Sequence, residues 1–164
     1  MSGNNNRKFT IVIAADHGGY DLKNILAPYI YNLGYDVSDL GVFTPESVDY
    51  PDMGAKAAME ILNGNAQLGV IICGTGIGIS IAANRFPGIR AAVCHDEFTA
   101  RMSRKHNNAN MLALGARTTG TELAKAIVDV WFATDFEGGR HAGRVEKIDT
   151  CAIEAWKKYL TENN

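Results

Sequence analysis

Short apolar runs rich in β-branched residues recur along this chain, and each is followed by a stretch whose apolar residues keep helical spacing. That alternation is the rhythm of βαβ units, and it restricts the fold to helices packed on a parallel sheet. Phe9 to Ala15, Tyr35 to Leu40, Leu68 to Cys73, Ile89 to Cys94 and Met111 to Leu114 read as five strands. Leu22, Ile25, Leu26, Ile30 and Leu33 mark a first helix that Gly34 ends and that Pro28 should kink. Further helices are expected from about Asp52 to Asn63, from the GTGIG segment to about Arg85, near Asp96 to Lys105, and over Thr121 to Ala133. The tail from Arg144 places Val145, Ile148, Ala152, Ala155, Trp156 and Tyr159 on one face, which needs a surface to cover.

At 164 residues the chain has room for one domain with a single core. The expected architecture is an α/β, single-domain, Rossmann-like three-layer α/β/α sandwich around a five-stranded parallel sheet. It occupies residues 8–160 with a C-terminal helix, behind a flexible N-terminal extension at residues 1–7. Hydrophobic residues at 46% and charged residues at 21% fit a globular chain rather than a disordered one. A formal net charge of −2 argues against nucleic acid or an anionic membrane as the main partner, since both call for a basic surplus. No apolar run reaches the roughly 20 residues that span a bilayer. Three cysteines without a pairing pattern, and a polar start unlike a signal peptide, make the cytoplasm the expected compartment and reduced thiols the expected state.

Ligands of open parallel sheets gather beyond the carboxyl ends of the strands, here after Ala15, Cys73, Cys94 and Leu114. After the third strand come Gly74, Thr75, Gly76, Ile77 and Gly78, a strand-to-helix turn whose backbone N–H groups can converge on an anion. No Lys-Ser or Lys-Thr follows it, and its spacing is GxGxG, so neither the nucleotide phosphate loop nor the dinucleotide fingerprint fits. Cys73 stands at the strand terminus beside the positive end of the next helix, a setting that favours thiolate. Cys94 and Cys151 read as structural. Asp16 and His17 end the first strand, where Asp16 could equally be a helix cap. His106 and Asn107 read as a loop between the fourth helix and the fifth strand, where a histidine is more often a surface or capping residue. Arg140 and Arg144 share a face if the tail helix begins at Gly139, and Arg117 adds a third positive charge; solvated surface arginines are the alternative.

Six segments then carry a resemblance: ADHGG at 15–19, DYPD at 49–52, ICGTGIGISIAANR at 72–85, GIRAAVC at 88–94, SRKHNNANMLALGAR at 103–117 and EGGRHAGRV at 137–145. From about Lys8 to Tyr159 the chain resembles the ribose-5-phosphate isomerase type B family and its sugar-phosphate isomerase relatives. The resemblance implies aldose–ketose isomerisation of ribose 5-phosphate to ribulose 5-phosphate, with no cofactor and no metal. It implies Cys73 as the base, Thr75 as a hydroxyl partner, and Gly74, Gly76, Ile77, Gly78 and Ser80 around the enediolate oxygens. It gives ring opening to His106 with Asp16 nearby, the phosphate to His17, Arg117, Arg140 and Arg144, sugar hydroxyls to Asn107, and a pocket wall to Tyr50. It also implies a homodimer that could pair into tetramers, with His106, Asn107 and Arg117 facing the partner's Cys73. Pro28 and Asn108 depart from the family pattern and bear on the placement of His17 and His106. Galactose 6-phosphate or allose 6-phosphate isomerisation, a dinucleotide-binding module with Asp96 as its acid, and a sugar-phosphate sensor are the competing readings.

Overall fold

The computed structural model describes residues 9–163, and the extension expected at residues 1–7 lies outside them. Five strands, β1 (Thr10–Ala15), β2 (Asp36–Asp39), β3 (Leu68–Cys73), β4 (Ala91–Val93) and β5 (Met111–Gly115), form one sheet in the order β2-β1-β3-β5-β4. Every pairing is parallel, with Ala15 opposite Ile72 and Cys73 opposite Gly115. Among the described residues six α-helices accompany the sheet: α1 (Tyr20–Asn32), α2 (Tyr50–Leu62), α3 (Ile77–Ala83), α4 (Glu97–Asn107), α5 (Thr121–Phe132) and α6 (Ala142–Glu162).

Both faces of the sheet are covered, and for that reason its central strands are continuous apolar runs rather than alternating ones. Ile11, Ile13, Val70, Ile72, Leu112 and Leu114 point to one face and pack with Leu22, Leu26 and Ile30 of α1, Ala100 of α4 and Ile127, Val128 and Trp131 of α5. Val12, Ala14, Ile71, Cys73, Met111 and Ala113 point to the other, against Met53, Ala57 and Ala58 of α2 and Ile79 and Ala83 of α3. The expected three layers are therefore present. The strand order turns outward on both sides of β1 and β3, so the crevice between their carboxyl ends is the topological switch point where such sheets hold ligands.

Several boundaries differ from expectation for local reasons. Pro51 sits in the first turn of α2, where its fixed φ suits a helix start, so the helix begins before Asp52. Strand β4 is only three residues because it is an edge strand and pairs with β5 alone. Pro28 does not end α1, and it lies on the exposed side. Ile25 also faces outward, 40% exposed. Its neighbour Lys23 is 1% exposed, with Nζ 2.5 Å from Asp39 Oδ2 and 5.4 Å from the centre of the Phe43 ring. Asp39 in turn accepts the Gly41 N–H at 2.8 Å, which ties the loop after β2 to α1.

The tail finds little to cover within its own chain. No residue of α6 is buried, and Ile148, Ile153, Trp156, Tyr159 and Leu160 are between 43% and 61% exposed. Its first half does border a cavity of about 410 Å³ beside the β4 edge, where Ile148, Ala152 and Ile153 face Ile89 and Arg90. Gly88 N–H donates to Asp149 there at 3.1 Å. Among the described residues no helix is long and apolar enough to cross a membrane.

Candidate active site

At the carboxyl end of β3 the chain turns sharply into α3. Gly76 has φ +77°, and a side chain there would stand 3.0 Å from the Leu114 backbone, so only glycine allows the turn to close on β5. Cys73 is 5% exposed, and its Sγ accepts the Gly76 N–H at 3.1 Å. Thr75 is exposed and accepts the Ile77 N–H at 3.3 Å. Tyr50, the first residue of α2, lays its ring against Gly78, where a Cβ would approach within 2.8 Å. Arg117, past β5, crosses Gly74 in the same way at 3.4 Å, and its N–H donates to the Gly74 carbonyl. The turn after β1 closes on the same spot: a Cβ on Gly18 would lie 3.1 Å from Gly74 N. Asp16, 7% exposed, accepts the Gly19 N–H at 3.1 Å, and His17 is exposed with Nδ1 3.4 Å from Val48 O.

Cys73, Thr75, the glycines, Ile77, Asp16, His17, Tyr50 and Arg117 thus form one cluster on one chain. Ser80 is not presented to it. That hydroxyl is buried and donates to the Ile77 carbonyl of its own helix at 2.8 Å, satisfied within α3. Arg117, expected to face the partner's Cys73, rests its side chain on the glycine turn of its own chain.

His106 and Asn107 lie elsewhere. They occupy the last turn of α4 rather than the expected loop, because Asn108 adopts the left-handed conformation (φ 45°) that ends the helix one residue later. A helix that follows a parallel strand runs back toward the start of the sheet. Asn107 therefore sits four residues before Met111, at the opposite end of β5 from Gly115, the partner of Cys73. Four strand steps of about 3.3 Å place the two ends about 13 Å apart along the sheet. Asp16 is consequently not beside His106 within one chain, and the expected pairing of the two requires a second chain.

At that second end a cavity of about 320 Å³ is lined by His106, Asn107, His141, Arg144, Val145 and Ile148. Arg140 and Arg144 do not share one helix, since α6 begins at Ala142 and Arg140 lies in the preceding 3-10 turn, Gly139–His141. Both are close enough to His141 to act on its charge, and with His106 they oppose its protonation; burial is the larger cause holding that imidazole below the usual histidine range. His141, 5% exposed, stacks on His106 with ring centres 4.2 Å apart and planes 9° from parallel. It was not singled out in the sequence, although it lies between two arginines in one of the six motif segments. Among the described residues no three His, Cys, Asp or Glu side chains are grouped so as to hold a metal ion.

Known proteins resemble the chain over this whole region. The family model for ribose/galactose isomerases matches residues 11–148. The ribose-5-phosphate isomerase B of Escherichia coli K12 is 46% identical over 138 residues, covering 84% of this chain and 93% of that protein. A D-erythrulose-4-phosphate isomerase of Pectobacterium atrosepticum is 47% identical, covering 85% and 92%. The structure of Clostridium thermocellum ribose-5-phosphate isomerase B superposes with a TM-score of 0.86 at 55% identity, covering 92% of this chain and 99% of that one. The Thermotoga maritima ribose 5-phosphate isomerase superposes equally well, at 48% identity.

Proposed function

The chain belongs to the ribose/galactose isomerase family, and we propose from that premise that it interconverts ribose 5-phosphate and ribulose 5-phosphate with Cys73 as the base. The observation that carries this reading is the sulfur of Cys73 held at the switch point of the sheet, with a backbone N–H aimed at it and a glycine turn open beside it. The reaction needs no redox partner. Opening the furanose moves a proton from O1 to O4 as the C1–O4 bond breaks and C1=O forms, and the imidazole of His106, which can both give and take a proton, suits that transfer. Cys73 then takes the C2 proton, the C–H electrons become C1=C2, and charge collects on O1 beside the backbone N–H groups of the turn. Return of the proton to C1, loss of the O2 proton as C2=O forms and protonation of O1 complete the ketose.

One chain holds these groups at opposite ends of its sheet, so we infer that each working site joins the Cys73 end of one chain to the His106 end of a second. The apolar surface supports this assembly. Ile77 and Ile81, one turn apart on α3 beside the cradle, are 53% and 55% exposed, and α6 offers an apolar face as well. In such a site His17 and Arg117 from one chain and Arg140 and Arg144 from the other surround the phosphate, and Asn107 addresses the sugar hydroxyls.

The test is direct: purified protein is mixed with ribose 5-phosphate, without added cofactor, and ketose formation is followed. Turnover is expected. Binding without turnover would instead support a sensor, and the proposal would fall. The similarity to a D-erythrulose-4-phosphate isomerase favours a four-carbon sugar phosphate as second reading, decided by comparing kcat/KM for the two substrates.

A further inference from the structure

Opening the furanose requires that one imidazole face the ring oxygen in a fixed plane, and the residue that could fix it is next to His106 rather than on its own helix. Three contacts sew the two segments together: Glu137 N–H donates to the Lys105 carbonyl at 3.1 Å, Arg104 Nε donates to the Thr134 carbonyl at 3.2 Å, and Lys105 Nζ lies 3.9 Å from Glu137 Oε2. The 3-10 turn that follows, closed by His141 N–H on the Gly138 carbonyl at 3.0 Å, delivers the His141 ring flat against His106.

We propose that His141 is a positioning residue for ring opening: its imidazole, stacked face to face on His106, fixes the plane of that ring and leaves His106 as the member of the pair that carries the proton. This rests on the proposed isomerase reading and deepens it. The protonation pattern follows from geometry. Arg140 Nε lies 3.5 Å from His141 Nε2, and a guanidinium can only donate, so that nitrogen presents its lone pair and the His141 ring is neutral. Burial opposes a second proton on His141 most, His106 from α4, Arg140 from its own turn and Arg144 from α6 oppose it as well, and Glu137 from the preceding loop favours it. Two stacked imidazolium rings would repel each other, whereas a neutral ring face accommodates one cation. His106, half-buried and bordering the cavity, is thus the ring that exchanges protons with substrate.

The experiment separates ring opening from enediolate chemistry. Ribulose 5-phosphate has no free hydroxyl at C5 and stays open-chain, so exchange of its C1 proton with D2O needs the base but not the ring-opening group. His141→Ala should lower kcat for ribose 5-phosphate by on the order of tenfold or more, with exchange from ribulose 5-phosphate changed by no more than about twofold. His141→Phe, which keeps a flat ring and no nitrogen, should recover most of the lost kcat. Equal loss of isomerisation and exchange in His141→Ala would mean general damage and overturn the proposal, as would an unchanged kcat. A His141→Phe variant as impaired as His141→Ala would make the nitrogen, not the stack, the active part and overturn it too. Cys73→Ala must lose both reactions; if it keeps them, the isomerase reading with Cys73 as base fails instead.

Discussion

Replacing Cys73 by Ala removes the sulfur addressed by the Gly76 N–H and leaves β3 and its glycine turn in place. The loss of a general base costs on the order of 10² to 10⁴ in rate, so if Cys73 is the base the variant should be nearly inactive while still unfolding cooperatively, its midpoint lowered only by the packing of one buried sulfur, read from kcat and a denaturant melt. Alkylation gives a second reading of the same residue. Cys151 is exposed on α6, while burial pushes the Cys94 thiol up and away from reactivity. Cys151→Ser protein should therefore still be inactivated by an alkylating agent, and bound substrate should protect it. His141 supplies a pH test. Its folded-state value lies below the 6.5 of an ordinary histidine, so the unfolded chain binds its proton first as pH falls. The stability this neutral ring contributes is complete above pH 6.5 and is lost as pH drops through the folded value. Urea unfolding of wild type should accordingly lose more stability between pH 7 and the acid side than His141→Phe does. Cys73 and its glycines were legible because they are contiguous in the chain. Lys23 and His141 were not, because their partners Asp39 and His106 are distant in the chain, and Ser80 was not, because nothing in the sequence tells whether its hydroxyl turns to the glycine turn or back to the Ile77 carbonyl of its own helix.

The helix α4 shows how an element boundary can decide a functional assignment. Asp96 caps its start by accepting the Thr99 N–H at 2.6 Å, and Asn108 ends it with a left-handed backbone, so His106 and Asn107 are held on a rigid last turn. Asn is one of the few residue types that adopt this left-handed backbone readily, so the helix end is built into the sequence at position 108. The other end of the site depends on α1 and β2. Breaking a buried pair by deleting one partner typically costs about 3–5 kcal/mol, because the remaining charge stays unpaired. Asp39→Ala, which strands the 1%-exposed Lys23, should therefore destabilise the protein more than Lys23→Met, whose Asp39 partner is 29% exposed and can be hydrated. Denaturant unfolding of both variants measures the difference. On the opposite edge, Arg140→Ala and Arg144→Ala should chiefly raise KM, since a phosphate remote from the reacting carbons is gripped alike in ground and transition states. Inorganic phosphate should compete with substrate in wild type, and more weakly in either variant. The strands and most helices were legible from apolar periodicity; the start of α6 was not, because the 3-10 turn before it has no periodic signal in three residues.

At the scale of the whole molecule, the six motif segments hold the groups of the proposed site, but their order in the chain says nothing about which end of the sheet each occupies. Strand direction supplies that. Cys73, Arg117, Asp16 and His17 follow strands and lie at the carboxyl end, whereas His106 and Asn107 precede β5 and lie at the other. A shared site therefore predicts a pattern of complementation between inactive variants. Cys73→Ala and His106→Ala homodimers should each be nearly dead. If the two are unfolded and refolded together in equal amounts, about half of the dimers are mixed and each holds one intact site of two, so recovery should approach about a quarter of wild type. Arg117 sharpens the test, because its side chain lies on Gly74 of its own chain. Arg117→Ala should complement His106→Ala but not Cys73→Ala, since in the latter mixture one half-site of each chain is damaged and every assembled site contains one of them. Recovery in the Arg117→Ala and Cys73→Ala mixture would move Arg117 to the partner's side. Absence of recovery with His106→Ala, with mixed dimers shown by mass spectrometry of a tagged chain, would place Cys73 and His106 in one chain's site and refute the shared assembly.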